Sequence, residues 1–133
     1  MLRKMQRMLM GICLSVFLFI NQGCVALVVG AAVGAGGFAF IKGNLEQNLD
    51  HPVKEVYNAS LETLDKLEID IYKKTLETHL GVIYGYTQGQ DKKRVKITIQ
   101  SLTEKASNIK VRVGFVGDES KSIEILEAVK KAL

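Results

Sequence analysis

The sequence predicts an α+β fold: an antiparallel sheet of four to five strands with two helices packed on one face, in the order β-α-β-β-β-β-α, preceded by a signal peptide and an apolar, Gly-rich tether. Three observations carry this reading. No charged residue occurs from Met8 to Ile41, whereas charge is spread through the chain from Lys42 onward. Two later windows repeat their apolar residues at helical spacing. Two further stretches, "RVKITIQ" and "IKVRVGF", alternate apolar with polar residues, so one sheet face is wet, as is common in antiparallel sheets.

At 133 residues the chain has room for one domain. The formal charge of +4 belongs mostly to its beginning. Arg3, Lys4 and Arg7 precede Cys24 and all 14 acidic residues follow it, which leaves 15 basic against 14 acidic residues downstream, a net of +1. A phosphate-backbone partner gains no support from that balance, and no nucleic acid is expected. One proline and no tryptophan leave no proline-rich linker, and two cysteines make no disulfide scaffold.

Arg3, Lys4 and Arg7 form a positive n-region, followed by an apolar h-region from Met8 to Ile20. Its 13 residues fall short of the roughly 20 needed to span a bilayer. A polar break, Asn21-Gln22, leads to Gly23-Cys24. A small residue directly before a cysteine at the end of an h-region resembles the lipobox of bacterial lipoproteins. That resemblance implies that Cys24 carries a diacylglycerol, that the bond after Gly23 is cut, and that the new amine is acylated, as by palmitate. Asn21 stands where the lipobox usually has a branched apolar residue, and Cys13 follows bulky Ile12. Residues 1–23 are thus expected to be a lipoprotein signal peptide and residues 24–43 the lipidated cysteine with its tether. Residues 44–133 make the small α+β domain.

The tether has 17 uncharged residues from Val25 to Ile41. Small residues recur at Ala26, Gly30 and Gly34, with a second row at Ala31 and Ala35, a spacing that permits close helix contact in a membrane. Its glycines make it a poor helix, and a flexible apolar tether is the plainer reading. "GAGGFA", Gly34 to Ala39, fits a loose dinucleotide fingerprint but lacks the preceding strand and following amphipathic helix that such a site requires.

From Gly43 the pattern changes. "NLEQNLD" alternates as a half-buried strand, although Leu45 and Leu49 also stand a helical turn apart. Asp50-His51-Pro52 reads as a helix start, with Asp50 as the capping side chain, proline in the first turn and Glu55 nearby. Val53, Val56, Tyr57, Leu61, Leu64 and Leu67 give one apolar face from about Pro52 to Leu67. Ile69 to Thr78 opens a strand, and Val82, Tyr84 and Tyr86 suggest another, with tyrosines on strands expected in the core. After a turn at Gly89-Gln90-Asp91, Val95, Ile97 and Ile99 form one inward row. Beyond the polar loop "TEKASN", Ile109, Val111, Val113 and Phe115 form the next. Asp118 and Ser120 can cap a last helix bearing Leu126, Val129 and Leu133 on one face, with Lys130 and Lys131 suited to its C-terminal dipole.

Two stretches, "GCVALVVGAAVGAGGFAFIKGNLEQNLDHPVKEVYNASLETL" and "IKVRVGFVGDESKSIEIL", resemble small bacterial lipoproteins that share a domain of unknown function (DUF3568-like). The likeness covers nearly all of the chain after the h-region. It implies an envelope lipoprotein and supplies no catalytic residues.

The residues themselves show little chemistry. His51 and His79 are 28 positions apart, without a Cys or carboxylate at ligand spacing, so neither a metal nor another cofactor is expected. Ser101, Ser107, Ser120 and Ser122 fall in loops or caps. Asp118-Glu119 suits a helix N-terminus, since adjacent carboxylates do not face one another. "DKKRVK", Asp91 to Lys96, is the dense basic run. It can keep a strand edge soluble or meet anionic head groups.

The expected function is therefore that of a bacterial envelope lipoprotein, not an enzyme: a binding or structural module held to a membrane through Cys24, with an envelope protein or cell-wall component as partner. In a bacterium with two membranes, the likeness to lipoproteins whose inner-membrane members carry Asp after the cysteine implies that this chain, with Val25 there, goes to the outer membrane, facing the periplasm. The alternative is an uncleaved inner-membrane protein with a Gly-rich membrane hairpin and a periplasmic α+β domain.

Overall fold

A computed structural model describes residues 1–6 and 37–133. The cleavage and lipidation positions Gly23 and Cys24, the h-region and the small-residue rows of the tether lie outside the described residues. In the first compact unit, Met1–Gly36, residues 2–6 are helical. The second unit, Gly37–Leu133, holds the α+β fold.

Its elements are β1 (Phe38–Ile41), β2 (Asn44–Leu49), α1 (Val53–Lys66), β3 (Asp70–Leu76), β4 (Leu80–Tyr86), β5 (Arg94–Thr103), β6 (Ala106–Val113) and α2 (Glu119–Ala132). The strands form one antiparallel sheet in the order β1-β2-β6-β5-β4-β3. From β2 the chain crosses through α1 to the far edge at β3. It then meanders back until β6 closes against β2, Leu45 opposite Val111. The fold class is the one read from the sequence, with six strands in place of four to five.

The added strand is β1, within the stretch read as tether. It pairs Phe38 with Gln47 and Ile41 with Asn44 across a two-residue turn in which Lys42 and Gly43 both have positive φ, 50° and 81°. That is the geometry of a hairpin whose twist matches its strands. An all-apolar lead-in such as "GGFAFI" hides the alternation that marks a strand, so only the "KG" dipeptide signalled it.

Helix α1 starts at Val53. Pro52 is its N-cap, and its carbonyl accepts from the Glu55 and Val56 amides at 3.0 and 3.2 Å with no side-chain cap, so Asp50 does not cap it. The helix ends in a Schellman turn. Glu68 takes φ 55°, its amide donates to Asp65 O, and that of Ile69 donates to Leu64 O at 2.9 Å. α2 begins as read, with the Asp118 carboxylate accepting from the Lys121 amide at 3.1 Å. Leu133, read as part of its apolar face, is the C-cap residue and is exposed.

Both helices lie on one sheet face and enclose a single core. Val95, Ile97 and Ile99 of β5 and Ile109, Val111 and Val113 of β6 are fully buried there, with Leu45, Val56, Leu64, Leu126 and Val129. Full burial of each such side chain is worth about 1.5–3 kcal/mol. Every core residue among the described residues belongs to Gly37–Leu133.

Two sequence expectations change at β6. The "TEKASN" loop shrinks to Glu104-Lys105, because Thr103 pairs with Ala106 and Ser107 enters the sheet. Ser107 is buried because its hydroxyl donates to His51 O at 2.8 Å, which satisfies the polar group there. Phe115, read as the last inward residue, is 95% exposed. Strand pairing ends at Val113, and the chain turns outward toward α2.

Candidate binding face

The sheet face away from the helices is open, and its character is decided by β4. Gly81, Ile83 and Gly85 point to the core, so Val82, Tyr84 and Tyr86 point outward. The glycines are inward because α1 and the turn that ends it fill the space. A Cβ at Gly81 would lie 2.9 Å from Tyr57 Cδ2, and one at Gly85 would lie 2.9 Å from Ile69 Cγ2. Of the four tyrosines only Tyr57 is buried, contrary to the core placement read from the sequence.

A register shift in β3 between Ile71 and Lys73 brings Tyr72 beside the β4 tyrosines. Tyr72 stacks on Tyr86 with ring centroids 4.9 Å apart and meets Tyr84 at 6.0 Å. Lys73 Nζ and Lys96 Nζ stand 5.9 and 5.6 Å from the Tyr84 ring centroid, within cation–π range. The tyrosine rings therefore stack on one another or lie beside lysines. Their hydroxyls make no hydrogen bond within the described residues.

Below the tyrosines lies a depression of about 960 Å³, lined by Tyr84, Tyr86, Lys92, Lys93, Arg94, Lys96, Arg112 and Phe115, with Asn44 and Gly114. Five of these residues are cations and none is a carboxylate. The basic run singled out in the sequence supplies four of the five. Its loop is held by the Thr87 amide donating to Lys93 O and by the Lys93 amide donating to Thr87 Oγ1, both at 2.9 Å.

These cations have different neighbours. Lys93 pairs with Asp118 at 2.8 Å. That hydrogen bond, with the attraction between the charges, raises the Lys93 pKa above its ordinary value and lowers that of Asp118. Arg112 donates to the carbonyls of Lys42, at 3.0 Å, and of Phe115, which keeps its charge at the groove and fixes the chain on either side. Lys92, Arg94 and Lys96 have no carboxylate partner among the described residues. Toward the other end of the face charges cancel, as in the pair of Lys110 with Glu46 at 3.4 Å.

A smaller cavity of about 380 Å³ opens beside the N-terminus of α2, between Ile69, Thr87, Asp91, Asp118, Lys121 and Glu124. Its acidic and basic groups are mixed. The histidines are in separate places: His51 Nδ1 meets Glu55 Oε2 at 3.0 Å before and within α1, and His79 is exposed between β3 and β4. Among the described residues no three His, Cys, Asp or Glu side chains gather as a metal site would need. Nor is any helix there long and apolar enough to cross a membrane.

A family model described as a protein of unknown function (DUF3568) matches residues 7–132, and the chain belongs to that family. No curated protein matches it.

Proposed function

We propose that this DUF3568 protein is a bacterial envelope lipoprotein, a non-catalytic binding or structural module anchored to the membrane through Cys24 and, by its Val25, sorted to the outer membrane facing the periplasm. The observation that carries the reading is the Gly23-Cys24 junction, placed directly after a positive n-region and a 13-residue uncharged h-region. The fold is compatible with it, because every core residue among the described residues lies after Gly37. Two or three acyl chains, at about 0.8 kcal/mol per buried CH2, would make attachment effectively permanent.

A binding role gains support from the open face, where cations without carboxylate partners converge on one depression. Cys24→Ser tests the anchor. The variant should accumulate as an unlipidated chain that keeps residues 1–23, while the wild type should begin at an acylated Cys24 when its N-terminus is read by mass spectrometry. A wild-type protein that retains Arg3 to Arg7 would overturn the reading in favour of an uncleaved inner-membrane hairpin.

A further inference from the structure

Phe115 and Val116 are consecutive and 95% and 82% exposed, the most exposed large apolar pair in the domain. They are not on a loose loop. The Arg112 guanidinium donates to the Phe115 and Lys42 carbonyls, and Gly117 packs against the backbone of Gly43. The fold therefore holds two apolar side chains out in water at a fixed place. Phe115 also lines the depression that holds Lys92, Arg94 and Lys96. An apolar tip thus adjoins a patch of cations and tyrosine hydroxyls.

Each class of occupant makes a different demand on that surface. A stacked base or sugar ring needs a free aromatic face: Tyr72 and Tyr86 cover one another, Tyr84 has a lysine ammonium near its ring from each neighbouring strand, and stacking on Phe115 alone would leave Val116 in water. A soluble polyanion would use the cations and leave Phe115 and Val116 in water. A bilayer of anionic phospholipid satisfies both parts: an apolar phase for the tip, and a phosphate layer for the ammonium, guanidinium and phenol groups behind it.

From this we infer that the Phe115-Val116 tip and the basic, tyrosine-bearing groove beside it form a docking surface for anionic phospholipid head groups. The inference rests on the proposed membrane anchor. Cys24 and Gly37 are 13 residues apart. Such a segment reaches at most about 45 Å, so an anchored domain stays within about that distance of the bilayer. Tethering at that range gives an effective concentration on the order of millimolar. Weak docking is then enough to hold the open face down and leave the helical face toward the periplasm.

The test uses residues 37–133, which contain every core residue among the described residues, and vesicles of phosphatidylcholine alone or mixed with phosphatidylglycerol. Sedimentation should show binding to the mixed vesicles, weakened by salt, and little to phosphatidylcholine. Lys92→Glu with Arg94→Glu should reduce binding at least roughly tenfold, each basic residue near an anionic surface contributing about fivefold. Phe115→Ser with Val116→Ser should weaken it on the order of tenfold while leaving the salt dependence in place. All four substitutions fall on exposed positions, so thermal unfolding should stay close to that of the parent. Equal binding to both vesicles, or serine variants that bind as the parent does, would overturn the proposal. Binding to soluble polyphosphate as tight as to vesicles, unaffected at Phe115, would assign the groove to a soluble polyanion instead. The fragment lacks Cys24, so these outcomes stand apart from the fate of the anchor in the Cys24→Ser experiment.

Discussion

Replacing Gly117 with Ala should destabilise this domain more than replacing Gly89 with Ala, although the two positions have nearly the same φ. Gly117 has φ +101° and Gly89 has φ +109°, both in a region that L side chains rarely adopt. At either position alanine brings backbone strain of about 1–3 kcal/mol. The surroundings differ. An added Cβ at Gly89 meets nothing within 4 Å, whereas at Gly117 it would lie 2.5 Å from the Gly43 carbonyl oxygen and 2.8 Å from its carbon. Those are backbone atoms of the β1–β2 turn, and they cannot swing aside as a side chain would. Overpacking of that kind costs about 1–3 kcal/mol more. Gly117→Ala should therefore be less stable than Gly89→Ala by about 2 kcal/mol, the middle of that range, out of a total of roughly 5–15. For a domain of this length that is a gap in Tm of roughly 10 °C. Urea and thermal unfolding of residues 37–133, followed by circular dichroism, measure it directly. Equal losses for the two variants would mean that the two turns do not touch as described, and the fixed presentation of Phe115 and Val116 would fall with that contact.

Other outcomes follow from the same geometry. Val111→Asp places a charge among fully buried neighbours on β6 and should cost several kcal/mol, on the order of 3 or more, while Gln100→Asp on the exposed face should stay within about 0.5 kcal/mol; similar losses in denaturant titrations would put the strand register out by one residue. The Asp118 carboxyl has its pKa lowered by the hydrogen bond from Lys93, so its contribution is present above the ordinary value of 3.8 and is lost as pH falls through the lower, folded value. The Lys93 ammonium has its pKa raised by the same partner, so its contribution is present below 10.5 and lost as pH rises through the higher, folded value. Asp118→Asn keeps a good capping side chain and should flatten both limbs of a stability-versus-pH curve; an unchanged curve would show that the pair does not form.

How much of this was legible depends on what each element needed from its neighbours. The central strands β5 and β6 could be read from their own residues, since Val95, Ile97, Ile99, Ile109, Val111 and Val113 alternate with polar partners and are all fully buried. The helices were legible for the same reason, with ends within a residue or two of their spacing pattern. β1 was not, because alternation is invisible in a run with no polar residue. Ser107 was read as a loop residue because a buried serine makes sense only once the His51 carbonyl is known to lie above it. The signal-type junction at Gly23-Cys24 is the opposite case, a feature of the sequence alone that the described residues do not include.

The open face was the least legible part, and the reason lies in volume rather than hydrophobicity. In "LGVIYGY" the apolar bulk falls on Leu80, Val82, Tyr84 and Tyr86, and a strand judged by itself would turn that row inward. The row containing two glycines goes inward instead, because Tyr57 and Ile69 already occupy the space a side chain at Gly81 or Gly85 would need. Displaced to the outside, Tyr84 and Tyr86 are joined by Tyr72 through a register shift in β3 that no periodicity announces. The basic run "DKKRVK" was visible from the start, but as a charge run it could equally have been a solvated hairpin. Its meaning comes from what the outward tyrosines and the Phe115-Val116 tip put beside it. The candidate site is thus a consequence of how α1 packs: the turn of β4 that makes room for the helix is the same turn that gives the opposite face its aromatic and cationic character.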